Sequence, residues 1–337
     1  MTAVTQATPR SAVRSNRLSG LISQELVLIF AIIALAVVTQ ISNPRFLTGN
    51  NPRDVLNNAS YIAIAAIGMS MVIISGNIDI SVGSLIGVLV TLSGTIAKAS
   101  EGSSIPVDVW IVAAYIAPPI FGALIGLFIG TLVAYLRIPA IVVTLGMLSI
   151  LKGGLIIVTG GAWIYNLPPQ FNLAQQRILE VPIPVWVMVI GTILAFIGLR
   201  YTSFGRAIYA VGGNREAARL SGINDRRVIL LVFVMNGFIV GIMSALFATQ
   251  FNAIQSTVPP GIELQIITAS VVGGVSILGG IGTVFGSTLA AIFVQMIQSS
   301  MQFLRISDYW IQAVQGLLIL MTVLADLYRR RRTMRRG

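Results

Sequence analysis

Residues 109–136 read VWIVAAYIAPPIFGALIGLFIGTLVAYL, without a single Asp, Glu, Lys, Arg or His. About 20 helical residues cross a hydrocarbon core of ~30 Å, so this run is long enough to span a membrane. Pro118-Pro119 interrupts it, and Gly122, Gly126 and Gly130 follow at four-residue spacing. Glycines in such register let helix backbones approach where lipid supplies no hydrophobic drive. The spacing recurs at Gly83/Gly87 and Gly237/Gly241. It reads as a hinge or as tight packing in a multi-helix bundle, and packing is the simpler account.

The rest of the chain has the same character. Its 337 residues are 55% apolar and 10% charged, whereas soluble domains run near ~25% charged. The few ionisable groups cannot coat a globule of this size, and the 33 glycines sit inside apolar runs. Soluble enzymes, coiled coils and disordered chains are thereby excluded, leaving an integral membrane protein. Cysteine and histidine are absent. That removes disulfides, thiolate nucleophiles, Cys/His zinc sites, imidazole bases and any Ser-His-Asp triad. The only lysines, Lys98 and Lys152, are not followed by Ser or Thr, so there is no phosphate-cradling Walker A loop. If ATP drives this protein, another chain hydrolyses it.

Ten candidate spans follow: 24–41, 56–75, 82–97, 109–136, 139–158, 185–199, 228–250, 264–278, 284–304 and 310–327. With the N-terminus in the cytoplasm, sixteen basic residues fall on inside segments and five outside. The inside set is Arg10, Arg14, Arg17, Arg137, six arginines between Arg200 and Arg227, and six from Arg329 to Arg336. This bias orients a multi-pass protein with both termini cytoplasmic. It also accounts for the net charge of +11 without invoking nucleic acid. Ala34-Leu35-Ala36 resembles a signal-peptide cleavage site, but the apolar run continues to Ile41, as an uncleaved anchor requires. Residues 1–23 read as a disordered cytoplasmic tail, 24–327 as one transmembrane domain with an internal loop at 200–227, and 328–337 as a basic cytoplasmic tail.

Two segments break the helical pattern. In 75–84, polar Asn77, Asp79 and Ser81 alternate with Ile78, Ile80 and Val82. A carboxylate at membrane depth costs ~2.5–3.5 kcal/mol on insertion scales. Asp79 either caps the third span, accepting from the Ser81 or Val82 N–H, or serves the solute pathway or its gate; both roles are compatible. The stretch 273–286 holds six glycines and reads as a tight turn between two membrane segments. Glu263 follows Pro259-Pro260-Gly261 at the outer start of the eighth span, where a first-turn acid complements the helix dipole. In the inside loop, Asn214 to Gly222 reads as a complete short helix. Asn214 caps it, Glu216 lies in its first turn, Arg219 in its last, and Gly222 stops it. Two turns are unstable alone in water. Ala217, Ala218 and Leu220 suit a partner's groove, which favours a docking helix over a solvated connector.

Gly76-Asn77-Ile78-Asp79-Ile80-Ser81-Val82-Gly83 resembles the Gly-Gly-Ile-Asp-Leu-Ser-Val-Gly signature of bacterial ABC-importer permeases of the ribose/simple-sugar type. Ala210-Val211-Gly212-Gly213-Asn214, Glu216-Ala217-Ala218 and Ser221-Gly222-Ile223 resemble that family's cytoplasmic coupling segment. Glu263-Leu264-Gln265 and the 273–286 stretch resemble its third block. The matches run in order from about Phe46 to Leu327, and Asn77 stands where the family has a second glycine. The resemblance implies an all-α, ten-helix fold of the vitamin-B12 importer type in the bacterial inner membrane. It implies a second permease subunit, two cytoplasmic ATPase subunits that use ATP and Mg, and a periplasmic solute-binding protein. It implies no enzyme activity, metal or cofactor in this chain. It makes Gly212, Gly213, Asn214, Glu216, Ala217, Ala218 and Gly222 coupling residues, and Asn77, Asp79, Ser81, Glu263 and Gln265 candidates for the pathway or its gate. The expected cargo is a small sugar or polyol. A secondary transporter or channel is the alternative, though such proteins carry more ionisable residues in their spans. An intramembrane enzyme is a weaker rival, since no paired acids stand out.

Overall fold

The computed structural model describes residues 16–334. The helices in chain order are α1 (Asn16–Ser42), α2 (Asn51–Ile74), α3 (Val82–Lys98), α4 (Val107–Ala134), α5 (Ala140–Thr159) and α6 (Ile183–Tyr201). They continue with α7 (Ser203–Gly213), α8 (Arg215–Leu220), α9 (Asp225–Ala248), α10 (Ile262–Val272), α11 (Val284–Phe303) and α12 (Asp308–Met334). Two short antiparallel strand pairs join loops, β1 (Trp163–Ile164) with β4 (Ile254–Gln255) and β2 (Arg177–Ile178) with β3 (Val181–Pro182). The protein is a polytopic helical membrane protein. Seven helices are long and apolar enough to cross a membrane, and α3, α10 and the Ala313–Leu324 part of α12 are shorter apolar helices. Helix α1 already starts at Asn16, inside the stretch that the sequence assigns to the tail. Residues 1–15 of that tail and 335–337 of the basic tail lie outside the described residues.

Helix α2 is the centre of the bundle: every residue from Ala59 to Ile74 is buried. Around it, two of the three helices with glycines at four-residue spacing, α4 and α9, pair with each other, while Gly83 and Gly87 of α3 face the chain at 257–263. A methyl added at Gly122 would overlap the Gly237 carbonyl, and one at Gly237 would overlap the Gly122 carbonyl. Gly126 meets the Phe233 carbonyl and Gly241 the Pro118 carbonyl in the same way. The spacing therefore marks one backbone-to-backbone seam between α4 and α9.

Pro118-Pro119 does not interrupt α4, which runs unbroken from Val107 to Ala134. Pro118 has no N–H to give the Ala114 carbonyl four residues back. The Ser93 hydroxyl of α3 donates to that carbonyl instead, at 2.8 Å. A side chain from a neighbouring helix thus satisfies the acceptor that proline frees, as a membrane interior requires.

Helix α10 starts within the bundle. At ~1.5 Å per residue, its eleven residues fall well short of a membrane crossing. The chain ahead of it runs along α3, with Thr257 and Val258 against Gly87 and the Glu263 carboxylate against Gly83. The sequence reading places Glu263 at the outer end of one span and Gly83 at the inner end of another. In the structure the two touch, because the 257–261 segment enters the bundle as non-helical chain before α10 begins.

Candidate functional site

The break between α2 and α3 is built on a turn. Gly76 adopts a left-handed conformation, with φ +82°, which glycine alone takes without steric cost. Its N–H bonds to the Ile73 carbonyl and that of Asn77 to the Val72 carbonyl. The chain then doubles back to Asp79, which is only 2% exposed. One carboxylate oxygen of Asp79 accepts from the Ser81 N–H at 3.0 Å and from the Ser81 hydroxyl at 2.5 Å. The other accepts from the Asn236 side-chain amide of α9 at 2.9 Å.

Helix α3 itself starts with Ser81 in the cap position, and the Ser81 side chain makes no capping bond to the helix. Asp79 accepts from the Ser81 N–H from two residues ahead, so it organises the approach to the helix rather than its first turn. Asn77 is not aligned with Asp79: its amide turns back onto the Ser75 hydroxyl at 3.0 Å. Glu263 is half-buried against Gly83, near the start of the same helix. Gln265, also half-buried, lies two residues along α10 and donates its backbone N–H to the Gly261 carbonyl. Asn236 was not singled out from the sequence. Its signal was an amide amid the apolar residues of α9, which the structure buries fully.

The inside loop is more structured than the sequence suggests. Thr202 caps α7, its hydroxyl accepting from the Gly205 N–H at 3.0 Å. Gly212 and Gly213 are the last residues of α7, not part of an irregular connector. Asn214 caps α8, accepting from the Ala217 N–H at 2.9 Å. Gly222, with φ +82°, stands just past its end. Arg215 reaches Asp225 at 2.7 Å, closing the connection between α8 and α9. Ala218 is buried, whereas Glu216, Ala217 and Leu220 are exposed.

These separate sequence features meet at one junction. A methyl at Gly212 would overlap the Ile74 carbonyl and crowd the Gly280 nitrogen. Gly280 donates its N–H to that same Ile74 carbonyl at 2.8 Å. Gly279 lies against the Gly212 carbonyl and the Gly76 backbone, and Gly280 against the Gly213 backbone. Gly279 and Gly280 have φ +78° and +74°, so the turn they form depends on glycine for both conformation and space. Tyr209 of α7 pins the turn from the side, its hydroxyl donating to the Gly282 carbonyl at 2.7 Å. Burial pushes the Tyr209 phenol above its ordinary value, which keeps it a donor. The α7 end, the break below Asp79 and the 273–286 turn are therefore in main-chain contact.

The family model for the permease component of the branched-chain amino acid transport system matches residues 51–323. The autoinducer 2 import system permease protein LsrC of Escherichia coli (strain K12 / DH10B) is 34% identical over 307 residues, covering 90% of this chain and 87% of that protein. LsrC of Salmonella paratyphi B (strain ATCC BAA-1250 / SPB7) is 36% identical over 306 residues, covering 90% of this chain and 86% of its own length. No solved structure matches the chain. Matched by the family model over most of its length, and by these import permeases over nine-tenths of it, the chain belongs to this family of ABC-importer permeases.

Proposed function

We propose that the chain is the translocation subunit of an ATP-driven importer, and that a separate ATPase drives it through α7 and α8. The observation that carries this reading is the junction of Gly212, Ile74 and Gly280. It joins the segment best suited to receive a cytoplasmic partner directly to the break that holds Asp79. The seven long apolar helices, α3, the apolar part of α12, and α10 together with the non-helical chain that leads into it serve as ten spans in a fold of the vitamin-B12 importer type, with both termini cytoplasmic. The remaining partners are a second permease subunit and a periplasmic solute-binding protein. ATP and Mg are used by the ATPase subunit, and this chain does no covalent chemistry.

The cargo is a small, hydroxyl-rich solute. The importer-type sequence signatures and the role of LsrC in autoinducer 2 import both favour this class. Autoinducer 2, ribose and a set of polyols are the solutes to try first. The test is uptake into vesicles holding the chain with its ATPase and binding protein. ATP-dependent accumulation of one of these solutes is expected. Accumulation driven by an ion gradient without ATP would overturn the reading in favour of a secondary transporter.

A further inference from the structure

The Asp79 carboxylate has three donors. Two belong to Ser81, within its own turn. The third, the Asn236 amide, comes from α9, 157 residues further along the chain. Among the described residues no arginine or lysine forms an ion pair with Asp79, so this amide is its one tether to the rest of the bundle. The other titratable side chain nearby is Glu263 of α10, seated against Gly83.

Asn236 has little freedom. Its side-chain oxygen is buried without a hydrogen-bond partner. A methyl added at Gly68 of α2 would come within 2.6 Å of that oxygen. Its neighbour Gly237 is fixed in the seam against Gly122. With a carboxylate opposite, the amide must present its NH2 group to Asp79 and leave its oxygen facing α2. An unpaired buried carbonyl oxygen is costly, and the arrangement places that cost where it lets the NH2 group reach the break.

We infer that Asn236 is a positioning residue for transport: it holds Asp79, and with it the start of α3, against α9. This deepens the importer reading and rests on it wherever import is measured. A merely space-filling amide would tolerate a change of pairing chemistry. A positioning amide requires one amide and one carboxylate, in either order.

The test uses the full chain in the assembled importer. It exploits the absence of cysteine by placing a single reporter, Ile80→Cys, in the break. In that background, Asn236→Leu should speed maleimide labelling about tenfold, because a hydrogen bond to a charged group is lost. Asn236→Asp sets two carboxylates face to face, and they must share a proton. Its import relative to the background should therefore rise as pH falls from about 8 to 6. The exchanged pair, Asp79→Asn with Asn236→Asp, should restore slow labelling and import at neutral pH. An exchanged pair present at normal level, but labelled as fast as Asn236→Leu or importing no better than Asn236→Asp, would overturn the inference. If the Ile80→Cys background imports nothing while unmodified protein does, the pairs are compared for import without the reporter. If unmodified protein also fails to import, the importer reading is what fails, and labelling alone decides the placement of the break.

Discussion

The Gly280 N–H and the Gly212 α-carbon converge on one acceptor region, the carbonyl of Ile74, with the Gly280 hydrogen bond at 2.8 Å. The last carbonyl of α2 is thereby satisfied by a residue more than two hundred positions away, and α7 closes over it. Glycine is required at 212 because any side chain there would enter this space.

Gly212→Ala should therefore destabilise the protein by about 1–3 kcal/mol, the usual range for overfilling a packed contact. Thermal unfolding in detergent measures it. Gly213→Ala is the matched control: no atom lies within 4 Å of the added methyl, so its melting temperature should stay close to that of the unmodified protein.

The α4–α9 seam predicts a second contrast. Gly126→Ala drives a methyl into the Phe233 carbonyl, whereas Gly146→Ala on α5 meets nothing within 4 Å. The first should lose about 1–3 kcal/mol and the second should be neutral or slightly stabilising, since alanine is the better helix former. Parallel unfolding curves of the two variants decide the matter.

Ser93→Ala removes the donor that serves the Ala114 carbonyl above Pro118. A loss of about 1–2 kcal/mol is expected, typical of interhelical hydrogen bonds in membranes or of a buried acceptor left unpaired. Ser93→Thr keeps a hydroxyl and should retain more of the stability than Ser93→Ala. A Ser93→Ala protein that unfolds like the unmodified one would mean that the proline-freed carbonyl needs no partner.

Ala217 is exposed on α8, so Ala217→Arg should leave membrane insertion and folding intact. A docked ATPase would be obstructed by the added bulk, and its co-purification should fall by about tenfold. Glu216→Lys places positive charge at the positive end of α8 and should act in the same direction. Normal ATPase stoichiometry and normal import in Ala217→Arg would reduce α8 to a solvated connector.

Local features were legible in the sequence, and their meeting points were not. The Asn214 cap acts on the N–H of Ala217, three residues on, so its spacing alone reveals it. The glycine repeats on α4 and α9 each announce a close contact, but nothing in either repeat says that the other is its partner. Glu263 reads from the sequence as the outer start of a span, whereas it packs against Gly83 at the start of α3, for a related reason. The non-helical 257–261 segment carries it inward along α3, and a count of apolar spans assumes that each begins at a membrane surface. Helix α7 was missed because Gly205 and the terminal Gly212-Gly213 weaken its helical signature. Tertiary packing overrides that weakness, with Gly205, Ile208 and Val211 buried.

The meeting of α7 with α2 has a mechanical consequence. Contacts between side chains absorb small displacements by rotamer changes, like a cushion. At Gly212, Ile74 and Gly280 there is no side chain to yield, only backbone held by one hydrogen bond and by van der Waals contact. Backbone is stiff on this scale, because planar peptides leave few soft torsions. A displacement of α7 therefore has no side-chain slack to take up before it meets the end of α2, as a bearing passes load with little play.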